Sequence, residues 1–121
     1  MISSRIFAVP YCLVLVEDVS GGNSPTVTNG VLVVSTGSCI AVGCQCDTEG
    51  DTEFRLGTCG EVDPGMPPIF QGHLKTPSQK IMIHSVLGDV VLEMSVPRVE
   101  STISIWVNHP TVPDRVIVGV E

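Results

Sequence analysis

Residues 44–54 read CQCDTEGDTEF: two thiols one residue apart, then carboxylates at every second position around a glycine. Carboxylates in such numbers are the chemistry of a hard cation such as Ca²⁺. Thiols in pairs are the chemistry of zinc. Neither spacing fits. The run D-x-E-x-D-x-E is not that of a calcium loop. Structural zinc sites separate their first pair by about two to four residues around a tight knuckle, whereas Cys44 and Cys46 alternate within an aliphatic stretch. No metal and no cofactor is expected.

The same residues make sense as strand and turn. Ile40, Val42, Cys44 and Cys46 share one face, and Phe54 and Leu56 continue the alternation. If Cys46 and Phe54 face the core together, a three-residue turn Glu49-Gly50-Asp51 closes a hairpin, with Gly50 supplying a positive φ. Cys44 then opposes Leu56, and Val42 opposes Thr58. A two-residue turn would place Cys46 against Glu53 and bury a carboxylate. The expected register puts Asp47 across from Glu53 on the solvent face, a like-charge contact that Arg55 is placed to relieve. Asp47, Glu49, Asp51 and Glu53 therefore form a candidate binding surface.

His73, His84 and His109 are the three histidines, and a small-ligand site would have to draw at least two of them together with carboxylates. His84 alternates with Met82 and Val86, as a partly buried ring held by a hydrogen bond would. The sequence has no H-x-H or HExxH pair, no G-x-S-x-G elbow, no phosphate loop and no dinucleotide fingerprint. Nothing points to an enzyme. Trp106 is the single tryptophan. Ile103, Ile105 and Val107 take the core parity, which turns Trp106 outward. It is then a binding anchor, unless a loop such as 20–30 covers it or the opposite face also packs. Val91 is a weaker sign of a second contact surface.

The elements that must position these residues are short and evenly spaced. Strand candidates are 10–16, 31–34, 38–46, 52–58, 69–74, 80–86, 90–96, 102–107 and 115–120, separated by turn formers. Residues 20–30 (SGGNSPTVTNG) read as a mobile loop. No stretch keeps a helical period for more than a turn or two, and helices between parallel strands have no room. The expected fold is all-β: one domain spanning 1–121, an antiparallel β-sandwich of jelly-roll type with eight or nine short strands and little or no helix. Residues 6–16 resemble a secretion signal, but Pro10 interrupts them and no small-x-small site follows, so they read as a strand. No segment has the run of about 18 apolar residues that crosses a membrane as a helix. The five cysteines, at 12, 39, 44, 46 and 59, read as reduced and mostly buried thiols of a cytoplasmic protein. A net charge of -7 argues against nucleic acid, which requires a surplus of Lys and Arg. It suits solubility and a basic protein partner.

Three stretches carry a likeness to a known family: YCLVLVED (11–18), NGVLVVSTGSCIAVGCQCDTEGDTEFRLG (29–57) and VLEMSVPRVESTISIWVNH (91–109). Together they resemble the small bacterial β-sandwich family of competence protein J, whose namesake inhibits a DNA-entry nuclease. The resemblance implies an all-β domain that pairs an acidic surface with a basic protein. It carries over no functional residue. The leading function is thus a non-catalytic protein-binding module, inhibitor or immunity-like, with self-association through open sheet edges in the same class. The alternative is a small-ligand-binding or hydrolytic jelly-roll domain built on His73, His84 or His109.

Overall fold

The computed structural model of the protein describes residues 2–27 and 30–121. Thr28 and Asn29 of the loop expected to be mobile lie outside the described residues. Ten strands occur among the described residues: β1 (Ser3–Phe7), β2 (Leu13–Asp18), β3 (Val33–Ser35), β4 (Cys39–Gly43), β5 (Thr52–Thr58), β6 (Phe70–Lys75), β7 (Lys80–Ser85), β8 (Val90–Ser95), β9 (Glu100–Val107) and β10 (Arg115–Val120). A one-turn helix, α1 (Cys59–Val62), follows β5, and a single 3-10 turn occupies Pro10–Cys12. The strands form two five-stranded sheets, ordered β1-β5-β10-β9-β6 and β3-β4-β2-β7-β8. This is the all-β sandwich that the alternating pattern predicts. The pairings are antiparallel with one exception among the described residues: β10 runs parallel to β5.

Each sheet turns one apolar face toward the other, as strands that alternate in polarity must. From the first sheet come Phe54, Leu56, Leu74, Ile103, Ile105, Val116 and Val118; from the second, Val14, Val16, Ile40, Val42, Ile81 and Ile83. All thirteen are fully buried. Arg5 on β1 donates from Nη1 to the Val90 carbonyl at the start of β8 (2.8 Å), tying the two sheets together along one side. Between Ile83 and His84 the β7–β8 register shifts. Val91 is consequently buried in the core, not outward as its parity suggested, and Val90 is exposed.

The hairpin expected over 38–58 does not form. Val42 pairs with Val14 and Val33, whereas Leu56 pairs with Ser3 and Val118 in the other sheet. Glu53 lies beside Ile6 and Arg115. Both edges of β4 and both edges of β5 are taken by other strands, so residues 44–51 cross from one sheet to the other. The predicted core members are right, because Ile40, Val42, Cys44, Phe54 and Leu56 are all buried. Two strands facing the same core from opposite sheets show the same alternation as two strands of a hairpin. Parity cannot separate them.

The outer face of the first sheet has its own cover. Trp106 and Ile117 pack there with Val62 of α1 and Cys59. The helix comes this close because two positions beneath it lack a side chain. A Cβ at Gly119 would meet Cys59 Sγ and Trp106 Cζ3 at 3.0 Å, and one at Gly57 would meet Val62 Cγ1 at 2.9 Å. A capping box starts α1: the Glu61 carboxylate accepts from the Thr58 backbone N–H at 3.1 Å.

Phe54 is the largest fully buried side chain. Phe54→Ala is expected to destabilise the domain by about 3–5 kcal/mol, measured by chemical denaturation. A loss under about 1 kcal/mol would contradict its place between the sheets.

Candidate binding surface

The crossing from β4 to β5 is fastened along its length. Cys44 N–H donates to the Cys12 carbonyl (3.0 Å), Gln45 N–H to that of Pro113 (2.9 Å) and Asp47 N–H to that of Val9 (3.0 Å). A tight turn follows, with Glu49 N–H on the Cys46 carbonyl at 3.0 Å. Gly50 has φ +140°, a region disfavoured for side chains; a Cβ there would meet Gln45 Nε2 at 2.8 Å. The positive φ expected at Gly50 is present, in a crossing and not in a hairpin.

Cys12 and Cys46 form a disulfide, which corrects the expectation of five free thiols. Cys46 had been placed on the core face; it is half-buried instead, and the chain folds back so that the 3-10 turn meets it. Tyr11 and Cys12, on that turn, have φ values of 61° and 59°. Left-handed backbone costs a non-glycine residue about 1–2 kcal/mol, and here two neighbours adopt it together. The Tyr11 side chain stands out to solvent, 74% exposed. No motif marks Tyr11 in the sequence, where PYCLVLV reads as the start of a strand.

The remaining cysteines are thiols. Burial, with the Glu17 carboxylate beside it, pushes the Cys39 thiol up to about 12. Burial pushes Cys44 up to about 12 as well and raises Cys59. Such thiols carry almost no thiolate near neutral pH and make poor nucleophiles.

The four carboxylates of the turn behave differently from one another. Asp47, Glu49 and Asp51 are exposed and have no ion-pair partner among the described residues. Glu53 is half-buried and held between two arginines, Arg55 Nε and Arg115 Nε, each at 3.0 Å. Hydrogen bonds from Arg55 and then Arg115 hold its carboxyl below the usual range. Arg55 does serve the role expected of it, although Asp47 is not the charge opposite. Of the four candidates, Asp47, Glu49 and Asp51 are therefore the ones that stay exposed with no ion-pair partner among the described residues.

Next to these carboxylates is a hollow of about 440 Å³, with Cys12, Cys46 and Glu49 on its wall and Val27, Val31 and Val112 among its lining residues. Those three valines are about half exposed. A larger hollow of about 580 Å³ includes Cys59, Glu61, Met94 and Val96 in its lining.

Trp106 is not a surface anchor. It is 4% exposed, and its Nε1–H donates to the Met66 carbonyl at 2.7 Å. Its outward parity is correct, but the segment from α1 to Met66 covers it, not the 20–30 loop. The three histidines stay apart. His73 is an exposed residue of β6, with Nδ1 3.9 Å from a Glu100 carboxylate oxygen. His109 caps its own loop, its Nδ1 accepting from the N–H groups of Thr111 (3.2 Å) and Val112 (3.1 Å). His84 is nearly buried in β7. Its Nδ1 is 2.8 Å from the Ser85 carbonyl, and its Nε2 is 3.5 Å from Glu17 Oε2. That same oxygen accepts from Cys39 Sγ at 3.0 Å. No hollow described here is lined by a histidine. No group of three or more His, Cys, Asp or Glu suited to a metal ion occurs among the described residues. No helix among them is long and apolar enough to cross a membrane.

No family model matches the sequence, and no curated protein matches it. Two solved structures are similar over almost the whole chain. One is ComJ from Bacillus subtilis, described as an inhibitor of the DNA degrading activity of NucA. It has 14% sequence identity and a TM-score of 0.68, with 99% of this chain and 97% of that chain covered. The other is described as crocagin biosynthetic gene J, with 14% identity, a TM-score of 0.54, and 100% and 97% covered. The likeness to the competence protein J family is thus met in the fold. At this identity it is the fold that is shared.

Thiol alkylation and chemical denaturation check these placements. Under denaturing conditions before reduction, three thiols should alkylate, and after reduction all five; five before reduction would remove the bridge. In the native protein at about pH 8, Cys39 and Cys44 should resist alkylation. Because the bridge spans 34 residues, reducing it should cost about 3–4 kcal/mol of stability. Trp106→Ala should act on the fold, lowering stability by about 3–5 kcal/mol in chemical denaturation. An unchanged unfolding midpoint would return Trp106 to the surface.

Proposed function

We propose that this chain is a non-catalytic protein-binding module of the inhibitor or immunity-like kind, whose acidic turn engages a basic protein partner. The observation that carries the reading is the set Asp47, Glu49 and Asp51: three exposed carboxylates within five residues, none neutralised by an ion pair among the described residues, on a crossing fastened by a disulfide. Like charges so placed repel one another, and a cationic surface relieves that repulsion. The net charge of -7 adds a long-range attraction for the same partner and opposes nucleic acid. The nuclease-inhibiting description of ComJ supports an inhibitor as the form such a module takes, since a protein that handles DNA presents cationic surface. Self-association is the other member of the class.

The ligand-binding or hydrolytic alternative draws no comparable support. His73, His84 and His109 occupy β6, β7 and a loop, each engaged with its own neighbours, and the free thiols are pushed away from reactivity by burial. The cytoplasmic placement expected from five thiols loses the support of two of them, because a disulfide persists in oxidising surroundings.

Capture of partners from the cell of origin, followed by binding kinetics, tests the proposal. Association should slow as salt rises, and it should slow about tenfold or more in the D47N/E49Q/D51N variant at low salt, with dissociation little changed. Salt-independent association, or an unaltered on-rate in the triple variant, overturns it. If every captured protein is another copy of this chain, the basic-partner reading gives way to self-association.

A further inference from the structure

We infer that the hollow beside the Cys12–Cys46 bridge docks a basic protein segment through one apolar side chain. In this arrangement the aliphatic wall takes the anchor, and Asp47, Glu49 and Asp51 take the Lys or Arg residues flanking it. This rests on the binding-module reading and deepens it by naming the chemistry of the recognised segment.

Three features of the hollow point to this occupant. Its volume, about 440 Å³, falls in the range of about 300–1,000 Å³ typical of binding clefts. Its wall includes Val27, Val31 and Val112, which are 53%, 47% and 47% exposed. Exposed aliphatic side chains gathered in one concave place signal a contact surface. Its charge is one-sided: Glu49 lines it, and Asp47 and Asp51 stand two residues away on either side, with no arginine or lysine among the described residues of the lining. An anionic partner meets repulsion there, and an uncharged one leaves the carboxylates uncompensated.

One wall of the hollow, on the side of the bridge, is held in shape before binding. Cys12 and Cys46 on its wall are covalently joined, and backbone hydrogen bonds from Cys44, Gln45 and Asp47 fasten the crossing to residues 9, 12 and 113. A preformed wall loses little freedom on binding, which favours affinity. The larger hollow near Cys59, lined by Glu61 and Glu121, lacks this combination, since no disulfide fastens its wall and Glu61 is engaged in the capping box of α1.

The test uses the oxidised, isotope-labelled chain and three blocked peptides, KKLKK, KKGKK and EELEE, followed by amide NMR titration. KKLKK should shift the amides of Val31, Leu32, Gly43, Glu49, Thr111 and Val112 and bind about tenfold more tightly than KKGKK. V31S/V112S, which alters two half-exposed side chains and should keep the parent's Tm, is expected to abolish that difference. D47N/E49Q/D51N should weaken both basic peptides and flatten their salt dependence. Equal binding of KKLKK and KKGKK, shifts centred on another surface, or no shift at millimolar peptide overturns the inference, as does binding of EELEE. If that happens while a captured partner still associates more slowly with the triple carboxylate variant, the binding-module reading stands and only the docking site falls. If the partner's association is also indifferent to salt, both fall.

Discussion

Two sheets, each with one aliphatic face and no long helix to cover it, must close on each other; everything else in this structure follows from that constraint. Val and Ile dominate the facing positions because branched side chains fill a pleated surface with little rotamer freedom to lose. The closure leaves an apolar patch on the outer face of the first sheet, Trp106 and Ile117. A single turn of helix serves it, admitted by the bare backbone at Gly57 and Gly119. Trp106 satisfies its indole N–H locally through Met66, as a buried indole must.

Strand content was legible in the sequence because burial on one face writes itself as alternation. β5 and β10 have the expected bounds, β7, β8 and β9 differ by one or two residues at one end, and β6 is shifted by one residue at both. β1 was not legible: in SSRIF, on a sheet edge, three of five residues are exposed, so no apolar period marks it. Connectivity was not legible either. The residues around CQCDTEGDTEF were assigned to the correct core, yet β4 pairs with β3 close by and with β2 22–30 residues earlier, while β5 pairs with β1 and β10, 45–62 residues away. Alternation reports which face is buried and is silent about which neighbour shares the sheet.

The candidate surface was half legible for a related reason. Carboxylates at every second position announce a polar turn, and Asp47, Glu49 and Asp51 are indeed exposed. What the one-dimensional pattern hides is compensation from a distance: Glu53 meets Arg115, 62 residues on. It likewise hides the Cys12–Cys46 bridge, because an odd count of cysteines scattered through aliphatic runs looks like core filling. Tyr11 becomes visible only through its backbone, since left-handed conformations at two successive side-chain-bearing residues leave no mark on composition.

The parallel pairing of β10 with β5 has a consequence for how the sheet is assembled. β10 sits in the middle of the first sheet, between β5 and β9, yet nine strands precede it in the chain. Without it, that sheet would be two separate pairs, β1 with β5 and β9 with β6, on either side of a gap lined by unpaired N–H and C=O groups. β10 bridges the gap, completing the hydrogen-bond ladders on both sides. Such long-range closure is slow relative to local pairing. A chain in which β10 is not yet in place would offer the open edges of β5 and β9 to a neighbouring chain.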